Sequence, residues 1–160
     1  MHQGHELGML LRKAYLSFHR RANARILKHG ITADQFVLLT VVAREPGITQ
    51  ITIVERTASD PNTVAAILRL MERRRLVSRE AHVRDRRARC VFPTAAGRRV
   101  QRRAAKEAEP VLASLWECLA DFDRGQMERF LRRVHLVFSA SPADANGRPT
   151  RRPSSSKAPA

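Results

Sequence analysis

Two short helical patterns joined by a tight turn, then two strand patterns around a charged tip, fill the stretch from Thr49 to Phe92. Few folds accommodate that order. Thr49 is placed to cap a short helix through Ile51, Ile53 and Val54 to about Thr57. Asp60-Pro61 opens a second helix. Aspartate is a strong N-cap, and proline at the first helical position gives up an N–H that has no partner there anyway. Val64, Ile67, Leu68 and Met71 mark the inner side of that helix. The period then changes: Leu76-Val77-Ser78-Arg79 and Cys90-Val91-Phe92 read as strands flanking Asp85-Arg86-Arg87. A helix-turn-helix followed by such a hairpin is a winged reading head.

The flanking segments are helical. Leu7, Leu10, Leu11, Ala14, Phe18, Ala22 and Ile26 recur at steps of three and four, one apolar stripe ended by Gly30. Thr32-Ala33-Asp34-Gln35 has the form of a capping box and opens a helix that stops at Pro46-Gly47. Thr94 starts a long helix to about Ala120, with Pro110 expected to kink it. Asp123-Arg124-Gly125-Gln126 suggests another capping box, ahead of a stripe of Met127, Phe130, Leu131, Val134 and Phe138. These terminal helices have little else in the chain to cover them. We therefore expect a mainly α fold with a small β-wing: residues 1–30 and 98–138 forming a homodimerisation region, residues 31–97 the winged helix-turn-helix, and residues 139–160 a disordered basic tail.

Charge narrows the function. The 160 residues carry 30 Lys+Arg against 15 Asp+Glu, a net charge of +15. Such self-repulsion points to a polyanionic partner. From Arg69 to Arg103 there are 13 arginines and three acids, Glu72, Glu80 and Asp85, a net of 13 − 3 = +10. A charge run is usually a solvated face, but this one coincides with the helix-turn-helix, the wing and the next helix. Double-stranded DNA is the partner that fits. No apolar run approaches the roughly 18 residues a membrane span needs. Met1–Gly8 is polar and has no secretory pattern, and two cysteines make neither a disulfide framework nor a four-ligand zinc site. A cytoplasmic protein without cofactor or metal is expected. Cys90 and Cys118 read as small buried hydrophobes.

With the inner side of the second helix assigned, its outer side shows Asn62, Thr63, Ala66, Arg69 and Arg73. Asn62 suits adenine and Arg69 guanine in the major groove. Thr63 reads equally as a second cap or a phosphate contact. Arg73 and Arg74, a turn further on, suit phosphate. Thr49 and Gln50 at a helix start either bind phosphate or merely cap. Arg84, Asp85, Arg86 and Arg87 form the wing tip, within reach of the neighbouring minor groove.

Together these residues resemble the MarR family of winged helix-turn-helix transcription regulators. The likeness covers about Leu7 to Phe138, and its most specific part is Asp85-Arg86-Arg87-Ala88-Arg89-Cys90-Val91-Phe92-Pro93-Thr94-Ala95-Ala96-Gly97. That run is similar to the family's D-x-R wing and its V-x-L-T-x-x-G continuation. The resemblance implies a homodimer gripping a pseudo-palindromic operator, with Arg87 in the minor groove and Asp85 orienting wing arginines. It also implies a repressor released by a small phenolic or anionic effector between the dimerisation and DNA-binding regions. Tyr15, His19, Arg20 and Phe36 lie on segments that would border such a site. Three departures stand out. Arg75 occupies a position usually held by Gly, Pro93 replaces a strand Leu, and Ala66 and Leu70 stand where many members are polar or basic. The alternatives are a non-specific architectural or RNA-binding protein, and an enzyme. For the last, the chain shows no nucleophile-base pairing, cofactor motif or metal cluster.

Overall fold

The computed structural model describes residues 2–81, 89–120 and 122–139. The elements run α1 (His2–Ile26), a 3-10 turn (Leu27–His29), α2 (Ala33–Arg44), β1 (Ile48–Thr49), α3 (Gln50–Thr57), α4 (Pro61–Arg73), β2 (Val77–Ala81), β3 (Arg89–Pro93), α5 (Ala95–Glu117) and α6 (Arg124–Ser139). They fall into two compact units, Met1–Leu115 and Trp116–Ala160. The first is a mainly helical lobe with a three-stranded antiparallel sheet, ordered β1-β3-β2. The wing tip and the basic tail expected from the sequence lie outside the described residues.

Local chemistry sets most of the boundaries. Thr32 closes its capping box: its hydroxyl accepts from Gln35 N–H at 3.2 Å, and Gln35 Oε1 accepts from Thr32 N–H at 3.1 Å. Asp60 Oδ1 accepts from the N–H groups of Asn62 and Thr63 at 2.9 and 3.0 Å, with Pro61 behind it. Asp123 Oδ1 accepts from Gln126 N–H at 3.0 Å, one half of the expected box. Helix α5 continues through Pro110 and ends at Glu117, short of Ala120. Cys118 is therefore in a turn and exposed, not a buried hydrophobe, because the tighter bonds Leu119 N–H to Trp116 O and Ala120 N–H to Glu117 O replace the last helical turn. Cys90 is buried on β3.

Strand β1 was not anticipated. Two residues after Pro46-Gly47 are too few for an alternating pattern, and β1 exists only because β3 pairs with it, Ile48 opposite Val91 and Thr49 opposite Cys90. In the other pair, Pro93 lies opposite Val77 at the last rung. A missing N–H is least disruptive there.

The core of the first unit joins every one of its layers. Ile26 of α1, Leu38, Leu39 and Val42 of α2, Ile53 of α3, Val64, Leu68 and Met71 of α4, and Val91 of β3 are almost wholly enclosed. Other apolar side chains remain uncovered in the single chain: Leu7 and Leu10 on α1, and Phe130, Leu131 and Phe138 on α6, which buries none of its residues.

Two helix ends use left-handed residues other than glycine, Ala58 (φ 48°) after α3 and Arg75 (φ 56°) after α4. Both are Schellman turns: Arg75 N–H reaches Glu72 O at 2.8 Å and Leu76 N–H reaches Met71 O at 2.9 Å. The Arg75 side chain disfavours this backbone conformation, and glycine does not. Arg75→Gly should raise stability by about 0.5–1 kcal/mol after allowing for the looser unfolded chain. A urea midpoint that fails to rise would contradict the strained turn.

Candidate nucleic-acid interface

The turn between α3 and α4 comprises Ala58, Ser59 and Asp60. Ser59 N–H bonds Val54 O at 3.3 Å, and its hydroxyl donates to Thr57 O at the same distance. Asp60 then holds the first turn of α4. Both ends of the α3–α4 connection are thereby hydrogen-bonded, which holds the two helices in one relative orientation.

Helix α4 buries Val64, Leu68 and Met71 and exposes Asn62, Thr63, Ala66, Arg69 and Arg73. The outer side expected from periodicity is the exposed side. Asn62 and Arg69 are seven positions apart, a rise of about 10.5 Å. That matches about three base pairs at 3.4 Å each. Among the described residues, neither Arg69 nor Arg73 is in an ion pair. Ala66, between Asn62 and Arg69, leaves room for a close approach.

Other expected contacts are occupied differently. Arg74 Nη1 donates to Gly30 O at 2.6 Å, tying the end of α4 to the turn after α1, so its guanidinium is engaged within the protein. Gly30 is left-handed (φ 74°), and an added Cβ would approach Arg74 Nη2 to 3.2 Å. Thr49 serves as the N-cap of α3, its hydroxyl accepting from Thr52 N–H at 3.2 Å and lying 2.9 Å from Thr52 Oγ1. Gln50 beside it is half-buried. Arg84, Asp85, Arg86 and Arg87 lie outside the described residues.

The base of the wing is held by an ion pair that the sequence reading did not single out. Arg79 of β2 donates to Glu72 of α4 through Nε at 2.8 Å and also through Nη2. This hydrogen bonding, and the charge of Arg79 and Arg89, hold the Glu72 carboxyl below its ordinary value of 4.5. A depressed carboxyl contributes stability above its unfolded pKa and loses it as pH falls through the folded pKa. Glu72→Gln should therefore flatten the decline of stability below pH 4.5. The effect is small, since the Glu72 side chain is 39% exposed. Urea midpoints measured from neutral to acid pH check this, and identical acid limbs would refute it.

Behind α4 lies a largely apolar cavity of about 360 Å³. Three of the four effector residues expected from the sequence line it: Tyr15, His19 and Phe36. Arg20 does not; it is exposed and its Nη2 lies 3.5 Å from Ser17 Oγ. The Tyr15 and His19 ring centroids are 5.7 Å apart, and His19 Nε2 is 3.0 Å from Asp34 Oδ1. Thr63 and Ile67 of α4 form part of the wall, as do Val111 and Leu112 of α5. The sequence carried no local signal for these four, because chain folding alone brings α4 and α5 to Tyr15. Their position makes the cavity continuous with the inner side of the exposed helix.

Comparison with known proteins agrees with this architecture. Residues 29–88 match the model of the MarR family. The transcriptional regulator HosA of Escherichia coli O111:H- is 31% identical over 110 residues, which are 69% of this chain and 79% of HosA. Against HosA of Escherichia coli O127:H6 the match is 39% over 70 residues, 52% of that protein. The Streptomyces coelicolor regulator PcaV, solved in complex with its natural ligand, superposes with a TM-score of 0.65 at 25% identity, covering 88% of this chain and 94% of PcaV. A mutant form of MarR from Escherichia coli, solved with operator DNA, gives a TM-score of 0.73 at 21% identity over 81% of this chain and 93% of that one. A lobe with an exposed α4 side, a three-stranded wing sheet and these relatives leads to one conclusion: the chain belongs to the MarR family of winged-helix, DNA-binding transcriptional regulators.

Proposed function

We propose that the protein is a cytoplasmic, ligand-responsive repressor that binds a pseudo-palindromic operator as a homodimer. The observation that carries this reading is the outward side of α4, where Asn62, Thr63, Ala66, Arg69 and Arg73 stand exposed opposite the buried Val64, Leu68 and Met71. Helix α4 enters the major groove, Asn62 and Arg69 read base edges, and Arg73 contacts phosphate. Arg84, Arg86 and Arg87 bring positive charge to the adjacent minor groove, with Asp85 orienting them. Thr49 and Gln50 hold the start of α3 against the backbone.

Residues 1–30 and 98–138 supply the dimer interface. The uncovered Leu7 and Leu10 of α1, and Phe130, Leu131 and Phe138 of α6, support this role. A dimer presents two α4 helices to half-sites about one helical turn apart. A small phenolic or anionic effector entering the cavity lined by Tyr15, His19 and Phe36 meets Thr63 and Ile67 directly. It favours a spacing of the lobes that fails to meet both half-sites, so DNA affinity falls.

The test is a salt titration of binding to a selected operator and to random duplex DNA. Phosphate contacts give a steep salt slope on both, and base readout adds an affinity ratio of about 10³ or more for the operator. Equal affinities would identify a non-specific architectural protein instead.

A further inference from the structure

The cavity behind α4 is poor in hydrogen-bond donors, and this narrows what it can hold. Among the described residues, no lysine or arginine lines it; its wall carries the carboxylate of Asp34 instead. Two of its hydroxyls are already spent. Thr57 Oγ1 donates to Ile53 O at 2.8 Å, and Ser59 Oγ donates to Thr57 O at 3.3 Å. A hydroxyl has one proton to give. The remaining hydroxyls, on Tyr15 and Thr63, are neutral and belong to exposed residues. Helix starts are ready-made anion sites, but the two that border the cavity are in use. At α2, Ala33 N–H donates to Asn23 Oδ1 at 2.8 Å and Gln35 N–H to Thr32 Oγ1 at 3.2 Å. At α4, Asp60 Oδ1 takes the N–H groups of Asn62 and Thr63. Asp34 in the first turn of α2 and Asp60 at the cap of α4 already place negative charge at both positive helix ends.

One acceptor is available on the wall. His19 Nε2 lies 3.0 Å from Asp34 Oδ1. An ionised carboxylate only accepts, so Nε2 carries the proton and Nδ1 of the neutral ring is left as an acceptor. Resting on the reading of this cavity as the effector site, we propose that its ligand is an uncharged aromatic compound that donates a hydroxyl proton to His19 Nδ1, and not an organic anion. Phe18, Phe36 and Ile67 supply an apolar bed for the ring. A volume of about 360 Å³ suits one such molecule. A carboxylate would arrive beside Asp34 without a cation to pair it. Burying an unpaired carboxylate costs far more than burying a hydrogen-bonded hydroxyl. The net charge of +15 draws anions toward the protein, but salt screens that field within about 8–10 Å, and pairing at contact decides what stays bound. A protonated amine fares no better. Among the described residues, Asp34 is the only carboxylate on the wall, and it is 57% exposed and already bonded to His19.

The test titrates the full chain, without DNA, with four probes of similar size. They are methyl para-hydroxyphenylacetate, the para-hydroxyphenylacetate anion, methyl para-methoxyphenylacetate and the cation tyramine. Calorimetry should show the hydroxy ester binding wild type at least about tenfold more tightly than the anion or tyramine. It should also bind about three- to tenfold more tightly than the methoxy ester, the worth of one hydrogen bond. His19→Phe keeps a ring and removes the acceptor, so the two esters should bind this variant equally. If His19→Phe does not fold, the wild-type series decides alone. An anion that binds wild type as well as the hydroxy ester overturns the proposal. So does a preference for tyramine, or a hydroxy ester that does not bind. Equal binding of the two esters to wild type removes His19 as the acceptor and overturns it as well. Operator affinity with and without saturating hydroxy ester tests the effector reading separately. Unchanged affinity with the probe bound would refute that reading and leave the chemistry of the cavity standing.

Discussion

Gly97→Ala should destabilise the protein by about 3 kcal/mol or more, a large share of the stability of a domain this size. An alanine Cβ at this position would lie 2.0 Å from the carbonyl oxygen of Leu76 and 3.0 Å from its carbonyl carbon. Both are backbone atoms and neither can rotate aside. Moving α5 away instead would break the contacts that fix its start. Thr94 Oγ1 donates toward Arg75 O at 2.7 Å and Leu76 O at 3.2 Å and accepts from Gly97 N–H at 3.0 Å, while Thr94 N–H reaches Leu76 O at 3.1 Å. The Thr94-Ala95-Ala96-Gly97 run is thus a clasp that holds the end of the wing against the turn after α4. Gly8→Ala is the control: nothing lies within 4 Å of its added Cβ, and it should be neutral or slightly stabilising. Chemical denaturation of both variants measures the difference. A Gly97→Ala protein with wild-type stability would mean that α5 does not pack as described.

Asn62→Ala and Arg69→Ala should each cost about 1–3 kcal/mol of discrimination at one operator position, or about 5- to 150-fold in relative affinity. Both side chains are exposed, so neither substitution removes packing, and thermal stability should stay near wild type. Asn62 loses its side chain only, since the Asp60 cap engages its backbone N–H. Arg73→Ala is the contrasting case. It should weaken operator and random DNA alike and reduce the salt slope by about one. Fluorescence anisotropy on operators permuted at single positions separates the two behaviours. A parallel loss on every sequence for Asn62→Ala and Arg69→Ala would show that α4 touches phosphate only.

Much of the lobe was legible because its signals are local. A capping box at Thr32, an Asp-Pro start at Asp60 and the three-to-four spacing of Val64, Ile67, Leu68 and Met71 act within one or two helical turns. The outward residues of α4 follow by elimination once the inner side is known. Arg75 was legible as an anomaly, and its positive φ is the physical form of that anomaly. Helix α5 stops at Glu117 and not near Ala120, because the backbone tightens into a turn that exposes Cys118.

Long-range relations were not legible. Nothing near Ile48 announces a strand, since its partner Val91 is on the far side of two helices in the chain. Arg74 carries the same charge as Arg73, yet only the placing of the Gly30 turn beside the end of α4 brings its guanidinium to the Gly30 carbonyl, while Arg73 stays exposed. The cavity needs Tyr15, Phe36, Ile67 and Val111 from four helices at once. The helical segments, the caps at Thr32 and Asp60 and the inner side of α4 can be read from the chain alone, because hydrogen bonds between near neighbours and an apolar period suffice for those. Only the tertiary structure decided which arginines remain free, where a third strand forms and what surrounds the cavity. Those outcomes depend on distances between residues far apart in the chain, which burial of a shared core sets all together.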